Sequence, residues 1–274
     1  TFNQFEGLGG DDSIVGNGNT RIVYFSATSG VTITFNLNGW TSATSGATGS
    51  VTGDASVGTD TFSGIGSVSG SSYADTITGS NNPNNTAEEF SGRAGNDLID
   101  GKGGFDRAFY NNDPTASGIQ IDMASGVVTG DTAIGTDTLR SMEAIRGTNF
   151  ADAYVATNFG VSGANIGSFG SFNEFEGMGG NDSIIGIGNT RLAFYNALGG
   201  VVVDLSTGTS HGAAAGDVAG VGDDTFSGAN AVRGSNFADA IFGDAFANTL
   251  EGRDGDDRID GRGGADILTG GNGA

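Results

Sequence analysis

Cysteine is absent from the 274 residues, proline occurs twice, histidine once, and lysine and arginine together number only 11. Each shortage excludes something. Without cysteine there are no disulfide staples and no thiolate metal sites, and the redox compartment is left open. No apolar run approaches the ~18 residues a membrane-spanning helix needs, so no membrane insertion is expected. Eleven bases against 32 acids give 11 − 32 = −21. Such a charge repels nucleic acid and anionic lipid, so neither is expected as a partner. Leu, Ile, Val and Phe make up only about 22%, near the level at which highly charged chains stay disordered. No positively charged apolar leader opens the chain and residue 1 is Thr, so the segment reads as part of something longer.

What is abundant is glycine, 52 residues, and among the acids aspartate outnumbers glutamate 25 to 7. Helices favour Glu and tolerate Gly poorly, so a helical bundle is excluded. Linker glycines carry no fixed spacing. These do. From Gly234 the chain reads GSNFADAIF, GDAFANTLE, GRDGDDRID, GRGGADILT and GGNGA, five units at period nine. Position six holds Asp239, Asn248, Asp257 and Asp266, and position eight holds Ile241, Leu250, Ile259 and Leu268. The same nonapeptide starts at Gly7, Gly70, Gly92, Gly101, Gly147 and Gly177, with its aspartate at Asp12, Asp75, Asp97, Asp106, Asp152 and Asp182. Four extra residues between Asp75 and Gly92, with Pro83 among them, break the phase, and a longer insertion runs over 159–173.

A slower period overlies the fast one. FEGLGGDDSI at Phe5, FSGRAGNDLI at Phe90, FEGMGGNDSI at Phe175 and LEGRDGDDRI at Leu250 are one phrase. Between phrases come an aromatic strand, a β-branched strand, a loop, and a D-T-[FL] segment at Asp60, Asp137 and Asp224. The reading is one continuous all-β solenoid: three superrepeats, about 5–89, 90–174 and 175–249, plus the start of a fourth at 250–274. Short strands in such a fold bury their apolar faces only against the neighbouring coil.

Within the nonapeptide, G-x-x-G-x-D makes a turn in which glycine permits backbone conformations closed to other residues. The last three residues make a short strand with the middle side chain inward. Two nonapeptides make one coil, so side chains 18 apart stack, as Asp239 does with Asp257 and Asn248 with Asp266. Carboxylates stacked at ~4.8 Å repel unless a cation sits between them. Calcium suits, being hard and content with six to eight oxygens, backbone carbonyls included. A lone Asp after Gly would more simply make an Asx-turn. The tandem array favours calcium.

The pattern G-G-x-G-x-D-x-U-x, carried by these units and by the interleaved GVVVDL, DDTFSG and VRGSNFADAIFG segments, closely resembles the RTX (repeats-in-toxin, hemolysin-type) family. The resemblance implies a right-handed parallel β-roll that binds several Ca2+ ions. It also implies a ligand set: carbonyls at positions two and four plus the Asp of one turn, and carbonyls at one and three plus the Asp of the turn a coil later. Carried over, Ser235, Phe237 and Asp239 face Gly252, Asp254 and Asp257. Asp244, Phe246 and Asn248 face Gly261, Gly263 and Asp266. Arg253, Gly255 and Asp257 face Gly270 and Asn272. Ser71, Tyr73 and Asp75 face Gly92, Ala94 and Asp97 if the four extra residues bulge outward. Free calcium at ten times Kd adds about 1.4 kcal/mol per site.

Two units depart from the pattern. GNGNTRIVY and GIGNTRLAF place Arg21 and Arg191 where GKGGFDRAF has Asp106. A guanidinium there could replace calcium by pairing with a carboxylate of the neighbouring coil, or simply point to solvent.

No catalytic constellation emerges, and no enzyme activity is expected. His211, the only histidine, sits in GTSHGAAAG with no nucleophile elbow beside it. Asp pairs could suggest glycoside chemistry, but each has a place in the repeat. Phe5, Phe90 and Phe175 read as stacked core, and Trp40 as loop packing.

The leading expectation is a non-catalytic calcium-stabilised solenoid of a secreted, extracellular or cell-surface bacterial protein, Gram-negative by the resemblance. It would serve as a surface layer, matrix filament or adhesin scaffold. The family's type I secretion signal lies at the C-terminus, and no such tail follows Ala274. An accessory module of a secreted protease, lipase or alginate epimerase is the alternative. Ice binding is a lesser one, since no sustained Thr or Asn ladder is present. Both ends of the sequence cut through a repeat phrase, so self-association into filaments or layers is a further expectation.

Overall fold

The computed structural model describes residues 2–40, 45–82 and 86–273. Among them are twenty-five strands and no helix. They form two compact units. One comprises 1–115, 124–145 and 160–170, the other 116–123, 146–159 and 171–274. Each is a β-solenoid of short parallel strands.

The coil period is plainest near the C-terminus. Ala231–Arg233 pair with Thr249–Glu251, and Thr249 pairs in turn with Ile267. On the other wall Ala240–Phe242 pair with Arg258–Asp260. Every step is 18 residues, two nonapeptides (249 − 231, 267 − 249, 258 − 240). Parallel pairing in exact stack sets like residues over like: Val232 and Leu250 on one wall and Ile241 on the other point inward and are buried.

In the first unit the four extra residues lengthen one coil without spoiling it. Thr76 pairs with Leu98 and Ser67 with Glu89, each 22 apart. Asn81 still bridges Gly103, 22 on, whereas Ala87 already pairs with Phe105, 18 on. The insertion therefore lies between Asn81 and Ala87. Pro83 falls outside the described residues.

The longer segments between phrases enter as enlarged coils. Their β-branched strands underlie the G-[ST] nonapeptides: Thr32–Thr34 pair with Thr76–Thr78, Gln120–Asp122 with Ala153–Val155, and Val202–Asp204 with Ala240–Phe242. The D-T-[FL] strands stack on the strands of the phrase, Thr61 on Ser13, Thr138 on Leu98 and Thr225 on Ser183. Antiparallel pairings such as Thr32–Phe35 with Ala47–Thr52, and Val201–Asp204 with Thr209–Gly212, return the chain to the coil.

Phe90 and Phe175 are fully buried, as their recurrence suggested, and Phe90 meets Phe35 edge-on at 5.8 Å. Phe5, on the first described strand, stays 46% exposed. Trp40 is buried, in line with loop packing. His211 is exposed on Thr209–Gly212, with Nδ1 2.8 Å from the Gly212 carbonyl. With only one or two apolar residues per short strand facing inward, as at Ile33 and Phe35 of Thr32–Phe35, each interior side chain carries much of its coil's stability. Phe90→Ala is expected to cost about 3–5 kcal/mol, measurable by urea unfolding in calcium.

Candidate metal centres

The nonapeptide turns hold their acids in columns. In four of the turns the Asp accepts, through Oδ1, the backbone N–H of the Asp or Asn one coil earlier. Asp97 takes that of Asp75 at 2.8 Å and Asp182 that of Asp152 at 2.8 Å. Asp257 takes that of Asp239 at 3.0 Å and Asp266 that of Asn248 at 3.0 Å. The 18-residue stacking of Asp239 with Asp257 and of Asn248 with Asp266 is therefore realised. The 22-residue step from Asp75 to Asp97 is realised as well.

What the second oxygen does divides the turns into two kinds. In the turns from Gly7, Gly92, Gly101, Gly177 and Gly252, Oδ2 of Asp12, Asp97, Asp106, Asp182 and Asp257 is buried without a hydrogen-bond partner. A buried charged oxygen left unpaired costs several kcal/mol, so something must neutralise it. These turns share glycine at position four with positive φ, as at Gly95 (134°) and Gly255 (127°). At position two they hold a non-glycine residue in the left-handed region: Leu8, Arg93, Lys102, Met178 and Arg253, with φ of 62–82°. Such backbone persists only where its surroundings over-determine it. The turn from Gly261 shares this backbone through Arg262 and Gly264. Position one must be glycine for a separate reason. A Cβ on Gly92 or Gly177 would overlap Oδ2 of Asp97 or Asp182. Gly177→Ala is expected to lose about 1–3 kcal/mol and to weaken cation binding, both readable from urea melts at several calcium concentrations.

No three acidic or histidine side chains among the described residues converge on one point. A cation here must therefore take most of its oxygens from backbone carbonyls. The turns with an orphaned Oδ2 fit calcium on that basis: a hard carboxyl oxygen, buried, in a tight turn.

The sequence model of the RTX calcium-binding nonapeptide repeat matches four copies in this chain, over residues 89–108 and 242–274. The chain carries RTX-type repeats. Repeats of this family bind calcium, so the chain carries a calcium-binding repeat module. A search of curated proteins finds no match.

The second kind of turn has no orphan. Oδ1 of Asp75 accepts the Ser71 hydroxyl at 2.7 Å and the Val31 N–H at 2.7 Å, while Oδ2 accepts the Ser71 N–H at 2.6 Å. Asp152 repeats this with Thr148 and Ile119. Asp239 repeats it with Ser235 and Val201. In the turn from Gly243, Asn248 Oδ1 accepts the Asp244 N–H, and its amide nitrogen donates to Asp244 Oδ1 at 3.2 Å. The Asp244 carbonyl there receives the Gly263 N–H, and the Gly243 carbonyl receives Arg262.

The remaining carried-over positions lie where stacking demands. Gly92, Ala94 and Asp97 form the turn over Ser71, Tyr73 and Asp75. Gly252, Asp254 and Asp257 lie over Ser235, Phe237 and Asp239, and Gly261, Gly263 and Asp266 over Asp244, Phe246 and Asn248. Arg253, Gly255 and Asp257 meet the segment from Gly270, with Asn272 hydrogen-bonded to Asp254 at 2.9 Å.

Three acids of the columns lie outside any nonapeptide. Asp60 Oδ1 accepts the Asp12 N–H, Asp137 Oδ1 that of Asp97, and Asp224 Oδ1 that of Asp182, each at 3.0 Å. Their Oδ2 atoms are held by Tyr24, Tyr110 and Ser210 hydroxyls. The recurring D-T-[FL] phrase marked these residues, but its 40-to-48-residue offset from the phrase acid concealed that they share a column. Asp106 stands in a column of its own. Its N–H donates to Glu143 Oε2 at 2.9 Å, and it pairs across strands with Glu88, all three fully buried.

Burial raises these acids. Asp97 is pushed up to about 9 by burial and then by Asp137, and Asp182 to about 9 by burial and then by Asp224. Burial also lifts Asp137, Asp224, Glu88 and Glu143 to about 7. Asp106 lies well above the usual range.

The register corrects one alignment. Arg21 pairs with Gln4, Arg107 with Glu89 and Arg191 with Glu174, so the three arginines are equivalent. Thr20 and Thr190, not the arginines, occupy the place of Asp106. The degenerate turns are one residue shorter, and counting from glycine shifts the register by one. The Thr hydroxyls accept the N–H of Asn17 and of Ile187, replacing the carboxylate inside the turn. The guanidinium of Arg191 pairs with buried Glu174, and that of Arg21 lies 3.8 Å from Glu89. Arg191 reaches a glutamate on the adjacent coil and Arg21 one two coils on, past Ser67, rather than the aspartate column.

Proposed function

We propose that this chain is a non-catalytic structural solenoid of a secreted Gram-negative bacterial protein, ordered by calcium once outside the cell. Its role is a scaffold at the cell surface, in a layer, matrix filament or adhesin, reached by type I secretion. The observation that carries this reading is the row of buried Asp Oδ2 atoms without partners at Asp12, Asp97, Asp106, Asp182 and Asp257. A chain of charge −21 cannot neutralise them from its 11 bases. A divalent cation abundant outside the cell can. Extracellular calcium modules work with Kd near 10⁻⁴–10⁻³ M, so the chain stays unfolded while it is exported and orders afterwards.

A calcium titration followed by circular dichroism tests this. β-structure should rise with a midpoint between about 10⁻⁴ and 10⁻³ M. Complete folding below micromolar calcium would refute the coupling to export.

A further inference from the structure

Not every RTX turn in this chain has room for an ion. We infer that the turns at 70–75, 147–152 and 234–239 bind no cation, because the hydroxyl of Ser71, Thr148 or Ser235 occupies the place the cation would take. The inference rests on the calcium reading above and divides its sites.

The geometry repeats three times. Ser71 Oγ lies 2.7 Å from Asp75 Oδ1 and 3.3 Å from the Tyr73 carbonyl, and it receives the Tyr73 N–H at 3.1 Å. Thr148 Oγ1 lies 2.9 Å from Asp152 Oδ1, 3.2 Å from the Phe150 carbonyl and 3.1 Å from the Phe150 nitrogen. For Ser235 the distances to Asp239 Oδ1, the Phe237 carbonyl and the Phe237 nitrogen are 2.7, 3.3 and 3.0 Å. The carboxylate oxygen and the position-four carbonyl are two of the groups a nonapeptide turn would offer to calcium. One hydroxyl already touches both. With the N–H groups of Ser71 and Val31 added, the Asp75 carboxylate is hydrogen-bonded on both oxygens and needs no positive charge to be buried.

The backbone agrees. The turns with an orphaned Oδ2 have positive φ at positions two and four. In the hydroxyl turns neither position does, and position four is Tyr73, Phe150 or Phe237, each about half exposed. A bulky residue at position four therefore marks a locked turn, and glycine an open one. Asp244 with Asn248 and Phe246 is a fourth, reversed version: the acid sits at position two, and the neutral Asn replaces the Asp. An ion at Asp97, Asp182 or Asp257 then has a metal-free turn on the coil before it. The locked turns satisfy their own carboxylates without an ion.

The test is long-wavelength anomalous diffraction from crystals grown in calcium, with native mass spectrometry counting ions on the wild type and on Ser235→Gly/Phe237→Gly. Calcium peaks are expected against Oδ2 of Asp97, Asp182 and Asp257, and none touching Ser71, Thr148 or Ser235. The double variant, which restores the open pattern, should gain one ion. A calcium bound by the Tyr73, Phe150 or Phe237 carbonyl with its Asp would overturn the inference while leaving the calcium reading intact. So would an unchanged ion count in a folded double variant. Absence of calcium from every turn would overturn both.

Discussion

Chelation of calcium with EDTA at neutral pH is expected to abolish most of the β-structure and to expand the chain, with full recovery when calcium is returned. Three terms push the same way. Ligand binding to the folded state alone stabilises by RT ln(1 + [L]/Kd), about 1.4 kcal/mol per site at ten times Kd. Six turns of the open kind would then supply about 8 kcal/mol, the size of a typical domain's whole stability. Removing the ions also leaves the orphaned oxygens of Asp97, Asp106 and Asp182 buried. It further exposes the self-repulsion of a chain with charge −21. Against this the apolar interior is thin, one or two inward residues per short strand. Circular dichroism and sedimentation velocity read the change, and a far-UV spectrum indifferent to EDTA would disprove it. The locked turns add detail: amide protection should persist longest around 70–78 and 234–242, whose carboxylates are satisfied without metal.

The calcium-free chain should respond to acid in the opposite sense to most proteins. Asp97 and Asp182 sit at about 9 in the folded state, and Asp137, Asp224, Glu88 and Glu143 at about 7. All lie above their unfolded values near 4. A group whose pKa is raised by folding contributes stability that is complete below the unfolded pKa. That stability is lost as pH climbs through the folded pKa. In EDTA the fold should therefore be firmest near pH 4–5 and weaken up to about pH 9, each such group removing about 1.4 kcal/mol per pH unit within its window. Calcium inverts the profile, because protons compete with it for the same oxygens. With calcium the fold should be firmest near neutrality and should weaken on acidification. Thermal melts from pH 4.5 to 9, with and without calcium, give the two curves. High salt at pH 8 separates general charge screening from these specific acids. Parallel curves would show that the buried carboxylates are not the groups that answer to calcium.

Much of this could be read from spacing alone. Period nine placed Asp239 over Asp257 and Asn248 over Asp266, and the recurrence of Phe90 and Phe175 placed them in the interior. Repetition is legible because each coil copies the last, so a local period is also a spatial one. The acid columns were less legible. Asp60, Asp137 and Asp224 join the columns across 48, 40 and 42 residues. No local period marks such a distance. Arg21 and Arg191 were displaced by one position, because a shortened turn changes the count from glycine but not the strand register.

By itself the sequence determined an all-β chain of stacked nonapeptides with little apolar surface and a charge of −21. That shortage made calcium the expected means of holding it. Only the tertiary structure decided which carboxylates still need that cation. Asp75 and Asp97 look alike in the repeat. One is satisfied by a serine hydroxyl in its own turn and an amide from the coil before it. The other has a buried oxygen that receives no hydrogen bond, beside the Asp137 carboxyl. The difference is a matter of hydrogen bonds, which follow from the packed turn and not from the period.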